Sequence, residues 1–175
     1  LLPGVLAGAP WLVNPLQAGL AVLVTYLIGR EVYGRGIGLL AALLMATSPF
    51  FVFMSGSLLA HPTGLLFILL FVLLFVKSAQ GRSRMALLGG LALGFAFLTR
   101  PYTAAAIAAP FGLYAGHRIA RSRGQELRRY APFVVGMAPM VLALLAYNYA
   151  LTGNALQNPI ELWWRFDKIG FGPGV

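Results

Sequence analysis

Long apolar runs, separated by short basic or glycine- and proline-bearing segments, organise this chain. The first run covers residues 11–28 and is closed by "GREVYGRG". The second covers 37–53 and carries "TSPF" near its far end, where Pro49 is expected to kink or stop a helix. The third covers 58–76 and leads into "KSAQGRSR". His61 and Pro62 lie near its start, and proline is tolerated in a first helical turn. A long run from Met85 to Gly116 follows, then the basic loop "HRIARSRGQELRR", then a run over 131–151. The remainder, 152–175, is polar, aromatic and rich in glycine and proline, and reads as an interfacial loop. Trp163 and Trp164 within it suit the headgroup level.

The Met85–Gly116 run decides the topology. As one helix it would be roughly 46 Å long at about 1.5 Å per residue, whereas a hydrocarbon core is about 30 Å thick. Split at "TRPY", each half is about 20 Å, which is short for a span. Length alone favours neither arrangement, and charge breaks the tie. With two spans, the loops holding Arg30 and Arg35, then Lys77, Arg82 and Arg84, then Arg118, Arg121, Arg123, Arg128 and Arg129 share one side. The other side receives Arg100, Arg165 and Lys168, a division of ten against three. Such asymmetry separates cytoplasmic from external faces.

The expectation is therefore an all-α, polytopic transmembrane helix bundle forming a single domain over residues 1–175. It has about six spans, at 11–28, 37–53, 58–76, 85–98, 102–116 and 131–151, including a short helical hairpin broken near Arg100. Loops 30–36, 77–84 and 117–130 are expected to be cytoplasmic, with the tail 152–175 and both chain ends external, in a cell (plasma or inner) membrane.

Composition agrees. The 175 residues are 59% hydrophobic and 10% charged, which leaves too little polar surface for a soluble domain. A formal charge of +9 would suggest a nucleic-acid partner in a soluble chain. Here the basic residues fall in short loops between spans, so we expect no nucleic-acid partner and read them as orientation signals. With no cysteine there is neither a disulfide framework nor a thiolate metal site.

Candidate chemistry is sparse. In "LALGFAFLTRPYTAAAIAAP", Arg100 stands in the middle of the longest apolar run. Pro101 disfavours a helical conformation at Arg100, and non-helical backbone at membrane depth persists only where protein or a water-filled cavity covers it. A fixed guanidinium fork facing a cavity suits a phosphate or carboxylate. The other reading is a snorkelling arginine that anchors a helix end to headgroups. Thr99 and Tyr102 add hydroxyls beside it, either for the same anion or to cap the break.

Four acids are present: Glu31 and Glu126 in the basic loops, where they suit ion pairs with neighbouring arginines, and Glu161 and Asp167 in the tail. On the external side, His61, Glu161 and Asp167 are thus the candidate substrate-site residues for acid or base work. His61 reads equally as a wet helix-end histidine, and Asp167, between Arg165 and Lys168, as a surface ion pair. We see no metal-ligand cluster, phosphate loop or nucleophile elbow. The pairs Gly34 and Gly38, Gly90 and Gly94, and Gly112 and Gly116 have the spacing that lets membrane helices approach closely. Asn14 and Asn148 are polar positions within spans, suited to interhelical hydrogen bonds or to lining a cavity.

The segment "WLVNPLQAGLAVLVTYLIGREVYGRGIGLLAALLMATSPFFVFMSGSLLAHP" resembles the core of integral-membrane glycosyltransferases of the C-type fold. These are relatives of the protein O-mannosyltransferases and of the aminoarabinose transferases that modify lipid A. "LLGGLALGFAFLTRPYTA" is similar to the short-hairpin segment of the same family, and "YNYALTGNAL" followed by "FDKIGFGPG" to the segment leading into a later external loop.

The resemblance implies transfer of a sugar from a polyprenyl-phosphate carrier to a protein, lipid or glycan acceptor on the external face. It implies no certain cofactor and leaves a divalent metal open. Such a donor needs a cation at its phosphate; Arg100 fits that role on physical grounds and the resemblance strengthens the reading, with Tyr102 beside it as a second candidate for the phosphate. In the family the catalytic aspartate lies in the first external loop. No Asp or Glu precedes Glu31 here, so we expect that residue upstream of Leu1 and expect this piece alone to be inactive. The competing function is a transporter or flippase for lipid-linked sugars, since broken helices and an intramembrane arginine suit transporters too.

Overall fold

The computed structural model describes residues 8–81 and 84–163, and among these it is helical throughout, with no strand. A short 3₁₀ turn, Pro10–Leu12, leads into α1, Val13–Tyr33. The remaining helices are α2, Arg35–Thr47; α3, Pro49–Gly56; α4, His61–Ala79; α5, Arg84–Thr99; α6, Pro101–Arg121; α7, Leu127–Thr152; and α8, Ile160–Trp163.

Proline and glycine set the breaks. The expected kink at Pro49 is a full interruption: Ser48 is extended, Pro49 opens α3, and α3 is bent 61° from α2. Gly34, expected to pack between helices, instead adopts φ +95° at the turn joining α1 to α2. That conformation costs glycine little and strains other residues. The Met85–Gly116 run is not a rod. It breaks at Arg100, whose φ of −150° and ψ of 79° lie outside the helical region, as a residue before proline prefers.

The two arms of that break fold back on each other. At one end Arg100 touches His61, the first residue of α4. At the other, Tyr114 of α6 lies edge-on to Phe75 near the end of α4, with ring centroids 6.1 Å apart. So α6 runs along α4 in the same direction and antiparallel to α5. Phe111 also meets Phe71 and Phe75 edge-on, at 5.2 and 5.0 Å. Offset aromatic pairs of this kind contribute about 0.5–1.5 kcal/mol beyond their area, and Ala104, Ile107, Ala108, Ala115 and Ile119 pack α6 against the same core.

The tightest seam joins α5 and α7. A β-carbon on Gly90 would fall 2.1 Å from the Phe133 carbonyl oxygen, and one on Gly136 would fall 2.2 Å from that of Leu87. At Gly94 it would meet Met140 at 2.7 Å. Gly38 and Gly29 bring α2 and α1 together in the same way, each with a backbone atom 2.7 Å from its would-be β-carbon. Small residues are what allow such approach where no water drives helices together. Gly112 and Gly116 do not belong to this set. Both are exposed, and among the described residues nothing lies within 4 Å of a β-carbon on either.

Three helical stretches are long and apolar enough to cross a membrane: Pro10–Tyr33, His61–Ala79 and Leu127–Thr152. The bent α2–α3 pair makes a fourth if counted as one span. The hairpin arms fall short for different reasons: α5 has only 16 residues, whereas α6 has 21 but includes His117, Arg118 and Arg121. The chain is a helical membrane bundle. One end carries Arg30, Arg35, Lys77 and Arg84 together with the α6–α7 turn, where Glu126 pairs with Arg118 at 2.5 Å and with Arg129 at 3.5 Å. That carboxylate, hydrogen-bonded to Arg118, holds the guanidinium above its ordinary pKa. Among the described residues, Arg100 is the one lysine or arginine at the opposite end.

Candidate functional site

Three local devices place Arg100. The Ala96 carbonyl accepts a hydrogen bond from the Arg100 amide at 2.8 Å, which ends α5, and the Arg100 carbonyl accepts one from Ala104 at 2.9 Å, which starts α6. The aliphatic stem then lies over Gly64 of α4: a β-carbon there would stand 3.6 Å from Arg100 Cδ. Finally, the guanidinium Nη2 donates to Nε2 of His61 across 2.6 Å. An arginine has no acceptor, so Nε2 accepts and the imidazole proton sits on Nδ1. That Nδ1 is buried and has no hydrogen-bond partner.

His61 is delivered by the loop between α3 and α4. Pro62 occupies the first turn of α4 and is buried there. The bend at Pro49 swings α3 across the front of α4. The result is a cavity of about 270 Å³ with walls from α3 (Phe50, Phe51, Met54, Ser55), α4 (His61, Gly64, Leu65, Ile68) and α6 (Thr103, Ile107). Arg100 and His61 stand at its head. The rest of the wall is mostly apolar, with Phe51, Leu65, Ile68 and Ile107 among its residues.

The site residues expected from sequence separate. The structure brings Arg100 and His61 together. Tyr102 is not a wall of the cavity: it is 61% exposed and points outward one residue past the proline, while Thr103 lines the cavity. Glu161 lies in α8, but its side chain is outside the described residues, as is all of Asp167. The Trp163 side chain and Trp164 are outside them as well.

Sequence reading missed Ser55 and Thr103. Nothing in the local pattern marks either one, because which face of α3 or α6 meets α4 is settled by packing. Asn14 and Asn148 bond to loop carbonyls rather than across helices: Asn14 to Ser57 and Leu59, and Asn148 to Ala155.

Among the described residues no carboxylate pairs with Arg100, and no three His, Cys, Asp or Glu converge as a metal site would require. The guanidinium spends one of its five N–H donors on His61. Its remaining fork matches a planar or tetrahedral oxyanion.

A helical membrane bundle, with one lysine or arginine at this end among the described residues, is the architecture of an integral-membrane protein. The sequence profile of the dolichyl-phosphate-mannose-protein mannosyltransferase family matches residues 9–149, and the chain belongs to that family. No curated protein sequence and no solved structure matches the chain.

Proposed function

We propose that this chain carries the donor-phosphate site of a membrane glycosyltransferase, with Arg100 as the phosphate ligand and His61 as the group that aims it. Family membership supports glycosyl transfer from a polyprenyl-phosphate sugar. The observation that carries the rest is the Arg100–His61 contact at the head of the cavity. An unneutralised cation beside apolar walls is costly, and an anionic lipid would satisfy it from both sides. Its phosphate would take the free donors of Arg100 while its first isoprenoid carbons lie against Leu65, Ile68 and Ile107. Neutral His61 can hold Arg100 through Nε2 without competing for the anion. Thr103 brings a hydroxyl to the same cavity, whereas the Ser55 hydroxyl, also on its wall, donates to the Phe51 carbonyl at 2.6 Å.

The chemistry follows from charge. As an acceptor hydroxyl attacks the anomeric carbon and gives its proton to a general-base carboxylate, the bond from that carbon to the phosphate oxygen breaks and the phosphate leaves with the bonding pair, gaining charge. A preorganised guanidinium stabilises that charge more in the transition state than in the ground state. The acceptor is a protein, lipid or glycan on the external face. That face is the end bearing Arg100, because the basic loops gather at the other end.

The test is sugar transfer from a polyprenyl-phosphate sugar by the protein in membranes. Arg100→Ala should abolish most transfer, and Arg100→Lys should retain part of it, because lysine keeps the charge and loses the fork. Full activity in both variants would remove Arg100 from the site. Net movement of the lipid-linked sugar across the bilayer without transfer would support a flippase instead.

A further inference from the structure

Asn14 is 3% exposed and lies on α1, outside the cavity. Its amide nitrogen donates to the Ser57 carbonyl and, at 2.9 Å, to the Leu59 carbonyl. Both acceptors belong to the short segment between Gly56, the last residue of α3, and His61, the first of α4. Carbonyls in such a segment lack helical partners, and Asn14 supplies two at once. One turn further along α1, the Gln17 Oε1 accepts from Thr63 Oγ1 at 2.6 Å, just beyond His61. The residue that touches Arg100 is therefore bracketed on both sides by hydrogen bonds to α1. The loop's other hydrogen bonds run to its own flanking helices: the Ser57 hydroxyl donates to the Met54 carbonyl at 2.7 Å, and the Ala60 carbonyl accepts from the Gly64 amide at 3.0 Å.

We infer that Asn14 is a positioning residue for the donor-phosphate site: it fixes the His61 loop to α1 so that His61 Nε2 meets Arg100 and holds its fork toward the cavity. The inference rests on the phosphate reading above. The amide group is the chemistry required. An aspartate of the same shape would set a carboxylate oxygen against two carbonyl oxygens, and an alanine would leave both carbonyls unpaired. Released, the loop lets His61 leave Arg100, and the guanidinium samples orientations that do not grip an anion. The loss appears in affinity for the phosphate although Asn14 touches no ligand.

The experiment measures binding of decaprenyl phosphate to the intact protein in detergent, which needs neither a sugar nor an acceptor. Asn14→Asp should weaken binding about tenfold, Thr63→Val about threefold, and Asn14→Ser, which keeps one donor, should recover part of the loss. The decisive readout is coupling. In a His61→Ala background, each of these changes should shift affinity less than about twofold, because the group being positioned is gone. Equal losses in both backgrounds, or unchanged affinity in Asn14→Asp and Thr63→Val, would overturn the inference. If Asn14→Asp fails to fold, Asn14→Ser and Thr63→Val carry the same coupling test. Should Arg100→Ala and His61→Ala both bind normally, the phosphate reading itself falls, and this inference with it. Loss in those two with no effect at Asn14 and Thr63 sinks the inference alone.

Discussion

Arg100 Nη2 donates to His61 Nε2 across 2.6 Å, joining residues 39 positions apart at the apex of a helical hairpin. The bond fixes a cation that has no carboxylate partner among the described residues, and it does so with a neutral acceptor. The arrangement aims positive charge without cancelling it.

His61 should therefore matter through Arg100. Removing a neutral hydrogen-bond acceptor costs about 0.5–1.5 kcal/mol. His61→Ala should weaken decaprenyl phosphate binding by roughly three- to tenfold, with a smaller effect when Arg100 is already alanine. His61→Asp would neutralise the guanidinium, and should abolish binding although the arginine remains. Calorimetric titration of the three variants checks this.

The hairpin also predicts a disposition across the membrane. These 175 residues contain no cysteine, so a single cysteine introduced among them is the one thiol in this stretch. A cysteine at Thr103 should react with an impermeant maleimide added outside. One at Gln80 or Arg121 should react only from the cytoplasmic side. Labelling of Thr103→Cys exclusively from the cytoplasm would reverse the orientation.

The glycines divide by what they touch. Gly90→Ala and Gly136→Ala force a β-carbon onto a backbone carbonyl, at 2.1 and 2.2 Å. Helix-to-helix movement is the only relief, so each should lower the melting temperature by several degrees or prevent folding. Gly112→Ala and Gly116→Ala meet nothing within 4 Å among the described residues and should be neutral or slightly stabilising, since alanine is the better helix former by about 0.8–1 kcal/mol. Thermal unfolding in one detergent separates the two pairs.

These contrasts show what sequence conveys and what it does not. The break at Arg100 and the interruption at Pro49 were legible because proline acts locally: it constrains its own φ and the residue before it. The run containing His61 reads as starting at residue 58, three residues before α4 begins. The partners were not legible. The pairing of His61 with Arg100 depends on α5 returning along α4. The rotation that turns Thr103 inward and Tyr102 outward is a phase of α6 that no spacing rule supplies. Glycine spacing was equally silent: the same four-residue interval packs two helices at Gly90 and Gly94, and among the described residues packs nothing at Gly112 and Gly116. For Asn14 the sequence indicated a polar group needing a partner, but the partner is a pair of loop carbonyls more than forty residues away.

The central claim is that the Arg100 guanidinium grips the phosphate of a lipid carrier. An experimental structure of the protein with decaprenyl phosphate tests it most directly. The account predicts phosphate density about 2.7–2.9 Å from the Arg100 nitrogens, with the first isoprenoid carbons against Leu65, Ile68 and Ile107. A phosphate bound elsewhere, with Arg100 still engaged only by His61 or turned to bulk headgroups, would contradict it.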